Sequence, residues 1–142
     1  MDAGDRGRAR RLLRERRAAI GRARREAADR AIAERLEQLV AQLQVRGLAA
    51  YWPIHGEPDL RLALHDWHAA GIVVALPRVI AAGAPLAFGC WDPAEALEAG
   101  PFGTLHPPAV APGLRPDLIV VPCLGFDARC YRLGYGGGFY DR

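Results

Sequence analysis

Residues 48–76 read LAAYWPIHGEPDLRLALHDWHAAGIVVAL, and this stretch decides the fold. Leu48–Trp52 is a short apolar run and predicts a buried strand. Pro53–Gly56 has the composition of a turn. Pro58 suits the first position of a helix, where a backbone N–H has no partner to lose. Leu60, Leu64 and Trp67 then recur at helical spacing, up to Gly71. Ile72–Leu76 is rich in β-branched residues and predicts a second strand. A strand, a helix and a strand in this order form a βαβ unit, and its two strands should run parallel.

On the N-terminal side, residues 6 to about 44 lack proline and consist largely of Arg, Ala, Leu and Glu, which predicts helix. Ile32, Leu36, Leu39, Val40 and Leu43 form one stripe at helical period. Gly21 interrupts the run, so two helices are expected. The first is intensely basic, with Leu12, Leu13 and Ile20 as its only large apolar anchors. Gly47, which tolerates positive φ, is expected to end the second. On the C-terminal side, Pro85–Trp91 reads as a further strand. Residues 92–116 read as loop, with one helical turn at Ala94–Leu97. Leu118–Val121 reads as a buried strand, followed by Pro122. No repeat or linker divides the chain. The expectation is one α/β domain over residues 1–142: an open, mostly parallel, Rossmann-like sheet flanked by helices, with basic helices at its N-terminal side.

Composition narrows the chemistry. All 19 basic residues are arginine, serine and asparagine are absent, and Thr104 is the only threonine. A serine nucleophile is excluded, and so is a P-loop ending in Lys-Ser/Thr. Any phosphate chemistry must run on arginines and backbone amides. Residues 1–46 carry 13 arginines against seven acids, whereas residues 47–142 carry six against nine. That asymmetry suggests an anionic partner for the basic part. Aromatic residues are absent from 1–46, so no stacking platform accompanies the arginines, and nucleic acid is not the expected partner. Cys90, Cys123 and Cys130 are odd in number and show no C-x-x-C spacing, which fits a reducing cytoplasm. Cys123 reads as a small buried residue. The charged N-terminus does not resemble a signal peptide, and no apolar run is long enough for a bilayer. His65 and His68, at i and i+3, have no further metal ligand near them in sequence.

The densest glycine cluster is Arg132-Leu133-Gly134-Tyr135-Gly136-Gly137-Gly138-Phe139-Tyr140-Asp141-Arg142. Without Cβ atoms, successive N–H groups can face one anion. A helix starting near Phe139 would add its N-terminal dipole. The cluster follows a strand, and ligands of open α/β sheets sit at the carboxyl ends of strands. Arg132 is placed for a bidentate phosphate contact, and Asp141 for a magnesium ion that also binds phosphate oxygens. The spacing is not that of a dinucleotide fingerprint, because Phe139 or Asp141 stands where its last small residue is required.

These residues, with Pro122-Cys123-Leu124-Gly125-Phe126-Asp127 before them, closely resemble the signature of the 5-formyltetrahydrofolate cyclo-ligase family (methenyltetrahydrofolate synthetases). Arg10-Arg11-Leu12-Leu13-Arg14 resembles that family's basic opening helix. Tyr51-Trp52-Pro53-Ile54-His55-Gly56-Glu57 resembles its pterin-binding turn. Ala75–Val79 and Pro85–Phe88 match in order, so the resemblance runs along essentially the whole chain.

The resemblance implies an ATP-dependent ring closure of 5-formyltetrahydrofolate to 5,10-methenyltetrahydrofolate, with Mg2+ accompanying ATP. It implies that Arg10, Arg11 and Arg14 reach ATP phosphates from the first helix. Arg132, Leu133, Gly134, Tyr135, Gly136, Gly137, Gly138, Phe139 and Tyr140 would cradle the triphosphate, and Asp141 would bind the metal. Trp52, Glu57 and Tyr135 would contact the folate. A monomer acting on small molecules, with no nucleic acid and no membrane, is expected. Arginine stands at position 10 where the family usually has lysine, and Phe139 stands where tyrosine is usual. Cys130 stands where glycine is usual and is strained if that site needs positive φ. The family continues past the signature with a further helix, a strand and a second acidic ligand. The expectation is therefore a cyclo-ligase whose C-terminal portion is missing, with weak or no activity. A module that binds folate or nucleotide without chemistry is the alternative.

Overall fold

A computed structural model describes the whole chain, Met1–Arg142. Two helices open it, α1 (Ala3–Ala18) and α2 (Arg22–Gln42), broken at Gly21 as expected. Asp2 caps α1 by accepting from the Asp5 N–H at 2.7 Å, and Arg16 and Arg17 occupy its last turn, where the helix dipole favours cations. Gly47 does not end α2. Gln44 takes the left-handed position (φ 51°), with Val45 N–H donating to the Val40 carbonyl and Gln44 N–H to the Ala41 carbonyl. That pattern is a Schellman motif, with Val40 and Val45 both buried in the core, and it frees Gly47 to begin a strand.

The βαβ unit forms as predicted. β1 (Gly47–Ala49) and β2 (Val73–Arg78) pair in parallel, with Leu48 opposite Val74, and α3 (Arg61–Ala69) crosses between them. Ala63, Leu64 and Trp67 are the buried face of α3, and Leu60, its N-cap, is also buried. Pro58 is not at the first helical position; it lies ahead of the cap, and its carbonyl accepts from the Tyr51 hydroxyl at 2.8 Å. β3 (Ala87–Cys90) runs antiparallel to β2. β6 (Leu118–Ile119) runs parallel to β1 and closes the order β3-β2-β1-β6. The core lies where Leu48, Val74 and Leu76 of the sheet meet Leu64 and Trp67 of α3 and Val40 of α2.

Three further expectations are corrected. Leu118–Val121 is not a buried strand: it pairs only across Leu118–Ile119, and Ile119 is 46% exposed, because β6 is an edge strand in this sheet. The α2 stripe is largely solvated, with Val40 buried, Leu36 packed on the core, and Ile32, Leu39 and Leu43 exposed. Residues 92–116 are mostly loop, as expected. They carry a hairpin of β4 (Glu98–Ala99) and β5 (Leu105–His106), while Asp92–Glu95 is an Asx-type turn closed by the Asp92 carboxylate instead of a helical turn. Cys123 is half-buried. A second hairpin joins β7 (Gly125–Phe126) to β8 (Arg132–Leu133). In its loop, Asp127 accepts from the N–H groups of Arg129 and Tyr131, and Cys130 sits at φ 64°, the left-handed conformation that strains a residue with a Cβ.

Candidate functional site

Arg10, Arg14 and Arg17 lie at i, i+4 and i+7 on α1 and share one face. Leu13 docks that face: a Cβ on Gly125 would lie only 2.9 Å from Leu13 Cδ1, so glycine lets the helix sit against the β7–β8 hairpin. The glycine loop 134–138 emerges from β8 beneath these arginines. Arg10 Nε donates to the Gly134 carbonyl at 3.0 Å. The Arg14 guanidinium lies 5.8 Å from the centre of the Tyr135 ring, a cation–π arrangement. Gly136 holds φ +105°, a conformation open to glycine and strained for other residues.

The second wall is the turn after β1. His55 (φ 51°) and Gly56 (φ 76°) are successive positive-φ residues, and Glu57 N–H donates to the Ile54 carbonyl at 3.1 Å. This has the form of a type I′ turn. It folds Glu57 inward, where the side chain is 93% buried (7% exposed) and Oε2 accepts from the Ile54 N–H at 2.9 Å. Tyr51, Tyr135 and Tyr140 gather around that carboxylate. Burial pushes the Tyr135 hydroxyl up to about 12; Glu57 adds to the rise and Arg17 opposes it. Burial, then the Glu57 charge, likewise raises Tyr51 and Tyr140 far above the usual tyrosine range.

Between these walls lies a cavity of about 410 Å3. It brings together Arg14, Trp52, Glu57, Tyr135, Gly137, Phe139 and Tyr140 of the expected residues. Its size is that of a small-molecule site, and its mostly apolar lining surrounds one buried carboxylate. Trp52 packs on the core as well, 6.0 Å from Trp91, with Arg61 over its ring at 5.9 Å. Arg10 braces the glycine loop from behind. Arg11 is exposed on α1 and is not brought to the cavity. Leu133 is spent on the β8 ladder. Gly138 is left-handed and precedes a 3-10 turn, Phe139–Asp141.

Arg132 and Asp141 do not point into the cavity; they pair with each other at the surface. Nowhere does the chain assemble three His, Cys, Asp or Glu side chains around one point. Asp141 is a single exposed carboxylate paired with the Arg132 guanidinium. His65 and His68 instead present their rings at steep angles to Trp91, with centroids 4.9 and 5.9 Å away.

Sequence reasoning missed two residues. Arg17 donates from Nη1 to the Tyr135 hydroxyl and from Nη2 to the His55 carbonyl, both at 2.8 Å. Its i+7 spacing from Arg10 was the available signal. Phe102, at the tip of the β4–β5 hairpin with φ 62°, reaches the cavity mouth and lies 6.4 Å from Phe139. Nothing local in the sequence places that tip.

A family model described as the 5-formyltetrahydrofolate cyclo-ligase family matches residues 2–142. The chain belongs to that family. It is 37% identical over 129 residues to the 5-formyltetrahydrofolate cyclo-ligase of Mycolicibacterium smegmatis, covering 82% of this chain and 65% of that one. It is 27% identical over 120 residues to the Haemophilus influenzae enzyme of the same name, covering 81% and 64%. The chain thus spans just under two thirds of the length of these curated relatives. The solution structure of 5,10-methenyltetrahydrofolate synthetase from Aquifex aeolicus superposes with a TM-score of 0.81 at 27% identity, over 96% of this chain and 70% of that one. The Mycoplasma pneumoniae synthetase, at 22% identity and TM-score 0.72 over 97% and 76%, shares the fold. No helix of the chain is long and apolar enough to cross a membrane.

Proposed function

We propose that this chain carries the site for ATP-dependent conversion of 5-formyltetrahydrofolate to 5,10-methenyltetrahydrofolate. The observation that supports this most is the buried Glu57 carboxylate opposite the glycine loop, across one aromatic-walled cavity. A carboxylate reads a pair of adjacent ring N–H donors, such as the edge of a pterin. Trp52, Phe102 and Tyr135 offer flat apolar walls for the ring system. Arg14 and the amides of 134–138 suit a triphosphate, with Arg10 holding that loop in place, and ATP brings its magnesium ion with it as part of the substrate.

The chemistry asks little of a protein nucleophile. The γ-phosphoryl group passes to the formyl oxygen, breaking its bond to ADP. N10 then attacks the activated formyl carbon; the carbon–oxygen bond breaks, inorganic phosphate departs and the N10 proton is lost. Such transfer depends on positioning and charge stabilisation, which arginines and amides supply without serine or lysine.

The test is a split in the kinetics of two variants. Glu57→Gln keeps an acceptor for the Ile54 N–H and removes the charge, so it raises KM for the folate about tenfold or more with little change in KM for ATP. Arg14→Ala raises KM for ATP. Equal effects of both variants on both substrates would contradict the division of the cavity.

A further inference from the structure

Three segments meet at one guanidinium. Arg17 is half-buried at the end of α1, and its two terminal nitrogens are used on different elements: the His55 carbonyl in the 53–57 turn and the Tyr135 hydroxyl in the glycine loop, each at 2.8 Å. The arginine is itself braced. Arg25 of α2 donates from Nη2 to the Arg17 carbonyl at 3.0 Å, and its guanidinium lies so close to Gly56 that a Cβ there would stand 3.4 Å from Nη1. Because Tyr135 accepts from Arg17, its own proton is left for a second acceptor, and Glu57 lines the same cavity. A planar fork with two charge-assisted bonds can hold both segments at once, which an ammonium cannot do in the same geometry.

We infer that Arg17 is a positioning residue that locks the 53–57 turn to the glycine loop, so that the two halves of the cavity are held as one unit. Its side chain does not line the cavity. It acts through His55 on the turn that buries Glu57, and through Tyr135 on the loop that faces the phosphates. The assignment of a folate half and a nucleotide half rests on the function proposed above; the mechanical link does not.

Hydrogen exchange on the full chain tests the link without needing turnover. In Arg17→Gln, amides of residues 54–57 and of 133–137 exchange about tenfold faster or more, as expected when charged-donor bonds are lost. Amides of Leu48–Ala50 and Val74–Leu76 keep their rates. Arg17→Lys restores at most one of the two segments. Adding Tyr135→Phe to Arg17→Gln speeds the loop no further, because the shared bond is already gone. Unchanged exchange in either segment, or an additive double variant, overturns the inference. In turnover, Arg17→Gln raises KM for both substrates together, a pattern neither Glu57→Gln nor Arg14→Ala gives. Absence of turnover with Arg17 in place would count against the ligase reading alone, while the exchange data still decide the role of Arg17.

Discussion

Replacing Gly136 by alanine isolates what the glycine loop contributes. At φ +105° a residue with a Cβ is strained by about 1–3 kcal/mol. The new methyl would stand 3.5 Å from Arg10 Cζ, an ordinary van der Waals distance, so no arginine is displaced and the whole effect is conformational. The loop is anchored to α1 through the Arg10 bond to Gly134, so it can relieve that strain locally by changing conformation. If nucleotide binding needs the observed conformation, the same 1–3 kcal/mol appears as a rise of about 5- to 150-fold in KM for ATP. Gly113→Ala is the control: it sits at φ +83° with open space around it, outside the cavity, and imposes the same kind of strain. It lowers the unfolding midpoint and leaves KM for ATP unchanged. Steady-state kinetics with each substrate varied in turn, beside thermal melts, read both quantities. A Gly136→Ala variant with unaltered KM for ATP would refute the claim that this loop conformation binds the triphosphate.

Cys130→Gly relieves the left-handed strain at φ 64° and, after the added freedom of glycine in the unfolded chain, stabilises by about 0.5–1 kcal/mol, read as a higher urea midpoint. Leu64→Ala removes a fully buried side chain between α3 and the sheet and costs about 3–5 kcal/mol by the same measurement. Alkaline stability reports on the tyrosines. Tyr135 holds its proton more tightly folded (about 12) than unfolded (10.0), so its contribution is intact below pH 10 and is lost as pH rises from 10 towards 12. Tyr140 is raised in the same sense, and Tyr140→Phe therefore makes the fall in melting temperature above pH 10 shallower.

The parts that local chemistry determines were legible in the sequence. The βαβ unit follows from Leu48, Leu64, Trp67 and Val74, whose spacing sets both period and burial. Gly21 marked the helix break, and the position-130 expectation proved right, with cysteine indeed at positive φ. The failures came where tertiary partners outweigh local preference. Gln44 took the left-handed position that glycine was expected to fill at 47, where Val45 N–H closes onto the Val40 carbonyl and both valines join the core. Leu118–Val121 looked buried from its composition, yet composition cannot say that a strand lies at a sheet edge. The site divides the same way. Trp52, Glu57, Tyr135 and Tyr140 were legible through a resembling signature and converge in space. Arg17 and Phe102 acquire their places only through contacts with segments 38 or more residues away for Arg17, and 37 away for the Phe102–Phe139 ring pair. Arg132 and Asp141 were assigned separate ligands, whereas in the folded chain each is the other's partner.

One assay addresses the proposed ATP-dependent closure of the folate ring directly. Purified 1–142 is mixed with 5-formyltetrahydrofolate, ATP and magnesium, and methenyl absorbance is followed while ADP is quantified. Methenyl product is expected to appear only with ATP, with one ADP formed for each ring closed. ADP release without ring closure, or no product even though both ligands bind, would contradict the proposal.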